Sequence, residues 1–345
     1  MVSLLLFATG CSLSGDLFEE LPCPCGSGWT CDDARDVCVR EDTFDAGATD
    51  GSVTDAASTD GGIDAGPEGP PPPVATTCWL RAETCDWTVR GFTLVEDTSA
   101  GSFTNGLAEN ATFSPDGCRV YYAEDGDLHR VERTGPGMPF GPVVSLDSVN
   151  TMEAVEEAPS IGPDGLELFF ASDDGTRGQR SVYRAIRAAP DLPFEPRVRV
   201  ASTATPGERG WEPRIAPHGL RLYYAPTGAV QFIHVLERRA LGDELGPPIS
   251  VPLDGVEPAY ATNRPSVTHD DRVLVGVQQV TGDILTRRPF YATRPDWQAS
   301  WSRVAPLPAV TGMTVIIDVA VSPDGCEVLA RDATDTATTL RYVDP

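Results

Sequence analysis

The chain has no lysine. All 26 of its basic residues are arginine, and they stand against 51 aspartate and glutamate residues, which gives a formal net charge of −25. A strongly acidic protein without a basic stripe is a poor candidate for binding nucleic acid, because the phosphate backbone repels it. Nucleic acid is therefore excluded as an expected partner.

Other absences narrow the function further. No apolar run approaches the ~20 residues of a membrane-spanning helix, so none is predicted. The sequence has no P-loop, no Gly-x-Ser-x-Gly and no dinucleotide-binding fingerprint. Its histidines lie in separate parts of the chain, and no metal site or cofactor is predicted. They are His129, His218, His234 and His269.

What the sequence does contain is one plan repeated five times. Each copy begins with a bulky apolar residue and reaches a tight turn 22 to 24 residues later, and the turns recur every 48 to 54 residues. Repeats of this length predict stacked supersecondary units that cannot bury their faces alone. The apolar starters are Phe92, Phe140, Phe194, Leu245 and Trp301. The turn centres are Pro115, Pro163, Pro217, His269 and Pro323.

The turns carry hairpin chemistry. Two read Ser-Pro-Asp-Gly, at residues 114–117 and 322–325, and residues 162–165 and 216–219 are close variants. Proline presets the backbone, and glycine takes the left-handed conformation that closes the turn. The fourth copy, residues 268–271, has lost both residues and is interpreted as degenerate.

Four short strands per repeat, arranged radially, predict an all-β fold: a five-bladed β-propeller of four-stranded antiparallel sheets. The fourth strand of each repeat is rich in proline, which favours the outer edge of a sheet. The last repeat ends one strand short, so a strand within residues 87–95 is expected to pair with residues 340–343 and close the ring. Six blades are the alternative if residues 78–95 hold more strands.

The repeat also resembles a known family. Phe-Ser-Pro-Asp-Gly at residues 113–117, then Val-Tyr-Tyr-Ala at residues 120–123 and an aromatic strand ending in arginine, resembles the WD40-like repeats of TolB-type β-propellers. The resemblance covers roughly residues 87–345. No counterpart of the N-terminal domain of TolB precedes the repeats, so it implies a fold more safely than a function.

The N-terminal residues predict export. Residues 1–10 resemble a bacterial lipoprotein signal peptide, which implies cleavage before Cys11, acylation of that residue and anchorage in the cell envelope. Ser12, directly after the cysteine, is compatible with the outer membrane. Residues 41–76 are rich in Asp, Ala, Gly, Ser and Pro and contain no basic residue, which predicts a disordered tether rather than a loose Ca²⁺ site.

The eight remaining cysteines indicate disulfides, as an exported protein would carry. Four lie in residues 11–40 and resemble a small EGF-like knot, with a four-thiolate zinc site as the rival interpretation. They are Cys23, Cys25, Cys31 and Cys38. Within residues 77–345, Cys78 is expected to pair with Cys85. Cys118 and Cys326 are expected either to staple the ring where it closes or to remain free thiols.

Candidate site residues come from aligning the innermost strands on the turns. One alternating set is apolar, whereas the other is mostly polar and is predicted to line the central channel. The candidates are Asn110, Glu157, Glu212, Arg214, Arg264 and Asp318. Such a set could grip a zwitterionic or glycan-like ligand. Alternatively, Glu212, Arg214 and Arg264 pair with one another.

The sequence favours a monomeric, non-catalytic module that binds a protein or glycan, or a purely structural envelope protein. The rival is a glycan hydrolase that uses carboxylates among Glu157, Glu212 and Asp318. Such an enzyme requires two carboxyl groups about 5–10 Å apart across an open channel. If Arg214 or Arg264 caps them, this hypothesis loses its motivation.

Overall fold

The computed structural model describes residues 29–32, 37–40, 78–81, 84–96, 109–173, 180–190, 192–200, 209–227, 232–256, 260–280, 286–308, 316–332 and 337–345. The chain forms two units, which divide at Asp64. In the first, strands β1 (Trp29–Asp32) and β2 (Val37–Arg40) form a hairpin in which Cys31 lies opposite Cys38. Cys11, Cys23, Cys25 and the whole tether lie outside the described residues.

The second unit is a ring of five four-stranded antiparallel sheets. Blade 1 consists of β4 (Glu109–Phe113), β5 (Arg119–Glu124), β6 (Asp127–Glu132) and β7 (Val144–Ser145). Blade 2 consists of β8 (Glu156–Ile161), β9 (Glu167–Ser172), β10 (Ser181–Ile186) and β11 (Val198–Arg199). Blade 3 consists of β12 (Arg209–Ile215), β13 (Arg221–Thr227), β14 (His234–Glu237) and β15 (Ile249–Ser250).

Blade 4 consists of β16 (Tyr260–Val267), β17 (Val273–Val280), β18 (Arg288–Thr293) and β19 (Ala305–Pro306). Blade 5 consists of β20 (Ile316–Val321), β21 (Glu327–Asp332), β22 (Ala337–Val343) and, from the other end of the chain, β3 (Thr93–Glu96). Innermost strands of successive blades pack side by side, and β20 packs against β4. The all-β, five-bladed fold and its closure by an N-terminal strand are confirmed, with Leu340 paired to Glu96 and Val343 to Thr93.

Alternation along the innermost strands places one apolar set between the blades, as predicted. All five members of the set are buried: Phe113, Ile161, Ile215, Val267 and Val321. The proline-rich fourth strands lie at the outer edges, but four of them are only two residues long. Within the described part of the chain, no helix is long and apolar enough to cross a membrane.

An arginine just after the third strand of blades 1 to 4 fastens each turn. In blade 1, Arg133 Nε donates to the carbonyl of Gly117 at 2.9 Å, and its guanidinium lies 5.2 Å from the ring centre of Phe140. In blade 5, Trp87 Nε1 donates to Gly325 instead, at 2.8 Å. Four of the apolar starters in the sequence lie against this fastening group: Phe92, Phe140, Phe194 and Trp301.

The fourth turn is not merely degenerate. Asp271 replaces the glycine, adopts a left-handed φ of 54° and has a fully buried side chain. Its carboxylate pairs with Arg294 Nη2 at 2.6 Å and with Arg221 Nη1 at 2.7 Å, and it accepts a hydrogen bond from the Tyr223 hydroxyl at 2.9 Å. Burial raises the pKa of Asp271, but nearby His218 and the two guanidinium groups outweigh it, so the pKa lies below its usual value.

The predicted cysteine pairing within the ring is wrong. Cys78 bonds Cys118 with a Cα separation of 5.0 Å, and Cys85 bonds Cys326 at 5.3 Å. Cys118 and Cys326 hold equivalent positions on neighbouring blades. Their partner cysteines lie in one short segment, of which residues 78–81 and 84–85 are described. The closure is therefore stapled twice, with that segment as the bridge.

Further contacts hold this segment against the turns. The Asp324 carboxylate accepts the backbone N–H of Leu80 at 2.8 Å, and the Asp324 carbonyl accepts that of Cys85. Trp79 Nε1 donates to the carbonyl of Pro115 at 3.0 Å, and the Trp79 ring lies 5.7 Å from that of His269. The segment thus lies across the turns of blades 1, 5 and 4.

Candidate binding site at the channel mouth

The candidate residues meet at the end of the ring where the innermost strands begin, here termed the channel mouth. Each innermost strand shifts register there, as in a β-bulge. In four blades the residue at the shift has a left-handed φ although it is not glycine: Asn110, Ala158, Glu212 and Arg264. Such strained conformations concentrate at functional sites.

Arg264 joins the two acids on which a hydrolase would depend. Its Nε lies 3.1 Å from Glu212 Oε1, and its Nη1 lies 3.2 Å from Asp318 Oδ2. Glu212 also accepts the backbone N–H of Arg264, and Asp318 accepts that of Asn110 at 2.6 Å. All of these side chains are more than nine-tenths buried. The acids are thus neutralised across blades 3, 4 and 5.

Arg214 behaves differently from the expected pairing with Glu212. It crosses the channel from blade 3 to blade 1, where its Nη2 donates to the carbonyl of Asn110 at 3.0 Å, while its Nη1 donates to Pro213. No carboxylate of the described residues lies within 4.0 Å of it. Burial lowers the pKa of Arg214 to about 10, so it remains charged at neutral pH.

Glu157 lies nearer the solvent, in contact with Arg180. The Arg180 guanidinium covers the Trp211 ring at 4.8 Å. Burial raises the pKa of Glu157 to about 7, against the attraction of Arg180 and with help from Glu212. A carboxyl group that titrates near neutrality therefore stands at the channel mouth.

Two further arginines belong to the site but escaped the sequence analysis, because they lie outside the aligned innermost strands. Arg287 donates to Gln279 Oε1 at 2.7 Å and to the carbonyl of Ile317 at 3.1 Å. Arg331 pairs with half-exposed Glu109 at 3.2 Å. Among the residues that the structure describes, no cluster of His, Cys, Asp and Glu is arranged to hold a metal ion.

The raised pKa of Glu157 predicts that the free energy of unfolding depends on pH through this residue. The folded value of about 7 exceeds the ordinary 4.5, so the contribution of Glu157 to stability is fully present below pH 4.5 and is lost as pH rises through 7. Glu157→Gln should match the wild type near pH 4 and exceed its free energy of unfolding by about 3 kcal/mol at pH 8. Urea unfolding at both pH values measures this. Glu153→Gln, on an exposed side chain, is the control, and a difference between Glu157→Gln and the wild type that does not change with pH would contradict the prediction.

No protein-family model matches the sequence, and no curated protein matches it. Solved structures do resemble the fold. TolB from Acinetobacter baumannii is 12% identical with a TM-score of 0.43, and the match covers 73% of this chain and 63% of that chain. TolB is thus among the similar structures, as the repeat sequence predicts.

Two glycoside hydrolases are also similar in fold. An α-L-arabinofuranosidase from Podospora anserina is 9% identical with a TM-score of 0.48, covering 74% of this chain and 98% of that one. A thermostable family-43 glycoside hydrolase is 13% identical with a TM-score of 0.46, covering 72% and 91%. At these identities the likeness concerns the fold alone.

Proposed function

We propose that this protein is an envelope lipoprotein whose propeller binds a protein or glycan at the channel mouth without catalysis. The observation that carries the non-catalytic part is the bridge from Arg264 to Glu212 and Asp318. A glycosidase needs one carboxyl group free to protonate and another free to attack or to activate water. The guanidinium of Arg264 binds both carboxylates, which leaves neither of them free for these roles.

The outer part of the channel mouth supports binding. Trp211 and Arg180 offer a part-exposed aromatic and cationic surface beside Glu157. Aromatic side chains with a polar group at one end are common where proteins bind ligands. This combination suits sugar rings or a polar protein segment.

The test is a glycan array and a pull-down from envelope extract with the full chain. Trp211→Ala should weaken capture at least about tenfold, since it removes an aromatic anchor of the site. Trp297→Ala is a matched control, because Trp297 is also part-buried and covered by an arginine, Arg221 at 4.5 Å, but lies at the turn end of the ring. Equal capture by both variants and the wild type would refute binding at the channel mouth.

Hydrolysis of a glycan is the second candidate function, and Glu157 favours it. A carboxyl group with a pKa of about 7 can donate a proton at neutral pH, as a general acid must. Incubating the captured glycans with the full chain and measuring released reducing ends decides between the two. Turnover that Glu157→Gln abolishes would replace the binding proposal with the hydrolase.

The anchor is proposed from the sequence, since Cys11 lies outside the described residues. Several acyl chains at one residue hold a protein at a membrane almost permanently, at about 0.8 kcal/mol per buried methylene. Changing Cys11 to Ser should therefore move the protein from the membrane fraction to the soluble fraction. If the variant still partitions into the membrane fraction, the anchor is disproved, but the proposal of a binding site at the channel mouth is not affected.

A further inference from the structure

The centre of the ring carries an excess of positive charge. Three guanidinium groups, those of Arg214, Arg264 and Arg287, act on the same two carboxylates, Glu212 and Asp318. Arg180 and Arg331 lie beside them, and each has a carboxyl partner of its own: Glu157 for Arg180 and Glu109 for Arg331. Among the described residues of this cluster, the guanidinium groups therefore outnumber the carboxylates by one, in a chain whose formal net charge is −25.

Two arginines of this cluster, Arg214 and Arg287, have only neutral hydrogen-bond partners among the residues that the structure describes. Arg214 is 2% exposed, donates to two backbone carbonyls, and its buried Nε has no hydrogen-bond partner. Arg287 is part-exposed and donates to an amide oxygen and a backbone carbonyl. In the described part of the chain no carboxylate lies within 4.0 Å of either guanidinium.

A buried guanidinium is costly unless something compensates its charge. Carbonyl oxygens satisfy its hydrogen bonds but leave the charge itself uncompensated. Guanidinium groups bind carboxylate and phosphate oxygens in a planar, often bidentate arrangement, and these bonds are stronger than those to neutral acceptors. An oxyanion is therefore the ligand whose chemistry completes this cluster.

We propose that the channel mouth is an oxyanion-binding site, in which Arg287 receives a carboxylate or phosphate group and Arg214 and Arg264 stabilise its charge from below. The proposal deepens the proposed function by naming the ligand class as an anionic glycan. Trp211 directly precedes Glu212 on β12, and Arg180 covers the Trp211 ring, so both would face the sugar ring. The negative charge of the rest of the chain repels anions elsewhere, which concentrates binding at this site.

The test is calorimetric titration of the full chain with three probes at constant ionic strength: inorganic phosphate, glucuronate and glucose. Phosphate or glucuronate should bind and glucose should not, and the stronger of the two anions identifies the group that the site prefers. Arg287→Gln should weaken anion binding at least about tenfold, the effect of losing one charge-assisted contact. Arg239→Gln removes an exposed arginine at the turn end of the ring and should change nothing.

Arg214→Gln should abolish anion binding. If this variant fails to fold, Arg287→Gln alone tests whether anion binding depends on the arginine cluster. Absence of anion binding to the wild type, or equal loss in Arg287→Gln and Arg239→Gln, would overturn the proposal. These titrations need no macromolecular ligand. Anion binding that depends on Arg287 therefore supports the oxyanion site even if the array and the pull-down capture nothing.

Discussion

Replacing Cys85 and Cys326 together by serine should lower the free energy of unfolding by about 5 kcal/mol. The bond closes a loop with a sequence separation of 241 residues, and in the chain-entropy model such a loop strongly restricts the unfolded chain. It also fastens the segment that carries β3 into blade 5. Urea denaturation of both proteins under oxidising conditions measures the difference.

The shorter bond provides the comparison. Replacing Cys78 and Cys118 by serine should cost less, about 4 kcal/mol, because that sequence separation is 40 residues. Peptide mapping without reduction should give cross-linked fragments that join residue 78 to 118 and residue 85 to 326. A loss below about 1 kcal/mol for the longer bond, or a fragment that joins 118 to 326, would contradict this account.

Asp271→Asn should destabilise the protein by about 3–5 kcal/mol. The change leaves the buried guanidinium of Arg294 without a carboxylate and removes one of the two that Arg221 has, since Arg221 keeps Glu237. Removing one partner of a buried ion pair has a cost of this size. Chemical denaturation at neutral pH is the measurement. Asp270→Asn, one residue earlier on a part-buried side chain, should cost no more than about 1 kcal/mol.

Asp271→Gly separates charge from backbone strain. Glycine restores the residue that the other four turns have, and it relieves the left-handed φ of 54°. If the carboxylate matters as the structure indicates, this variant is also destabilised by several kcal/mol. A glycine variant as stable as the wild type would show that Asp271 is only a tolerated departure from the repeat.

The features of the fold that recur in every repeat could be predicted from the sequence. Turn chemistry and alternation located the blades, the closing strand and the polar innermost residues, because each depends on local backbone geometry that recurs five times. The pairing of the ring cysteines could not be predicted in the same way. It depends on the path of residues 78–85, which belong to no repeat.

The site was predicted only in part, for the same reason. Glu212, Arg264 and Asp318 share one aligned column, and they do meet. Arg180 and Arg287 lie in strand connections outside the aligned positions, and nothing in the repeat marks them. The partner of Arg214 was missed because it is a backbone carbonyl two blades away, and a residue pattern identifies only side chains.

The bond from Cys78 to Cys118 has a mechanical consequence. Any tension that arrives along the chain preceding residue 78 meets this covalent link to blade 1 before it reaches β3. The load then passes into the hairpin of β5 and not into the hydrogen bonds between β3 and β22. A force applied from the N-terminal side therefore does not separate β3 from β22, although β3 is the strand of blade 5 that comes from the N-terminal part of the ring.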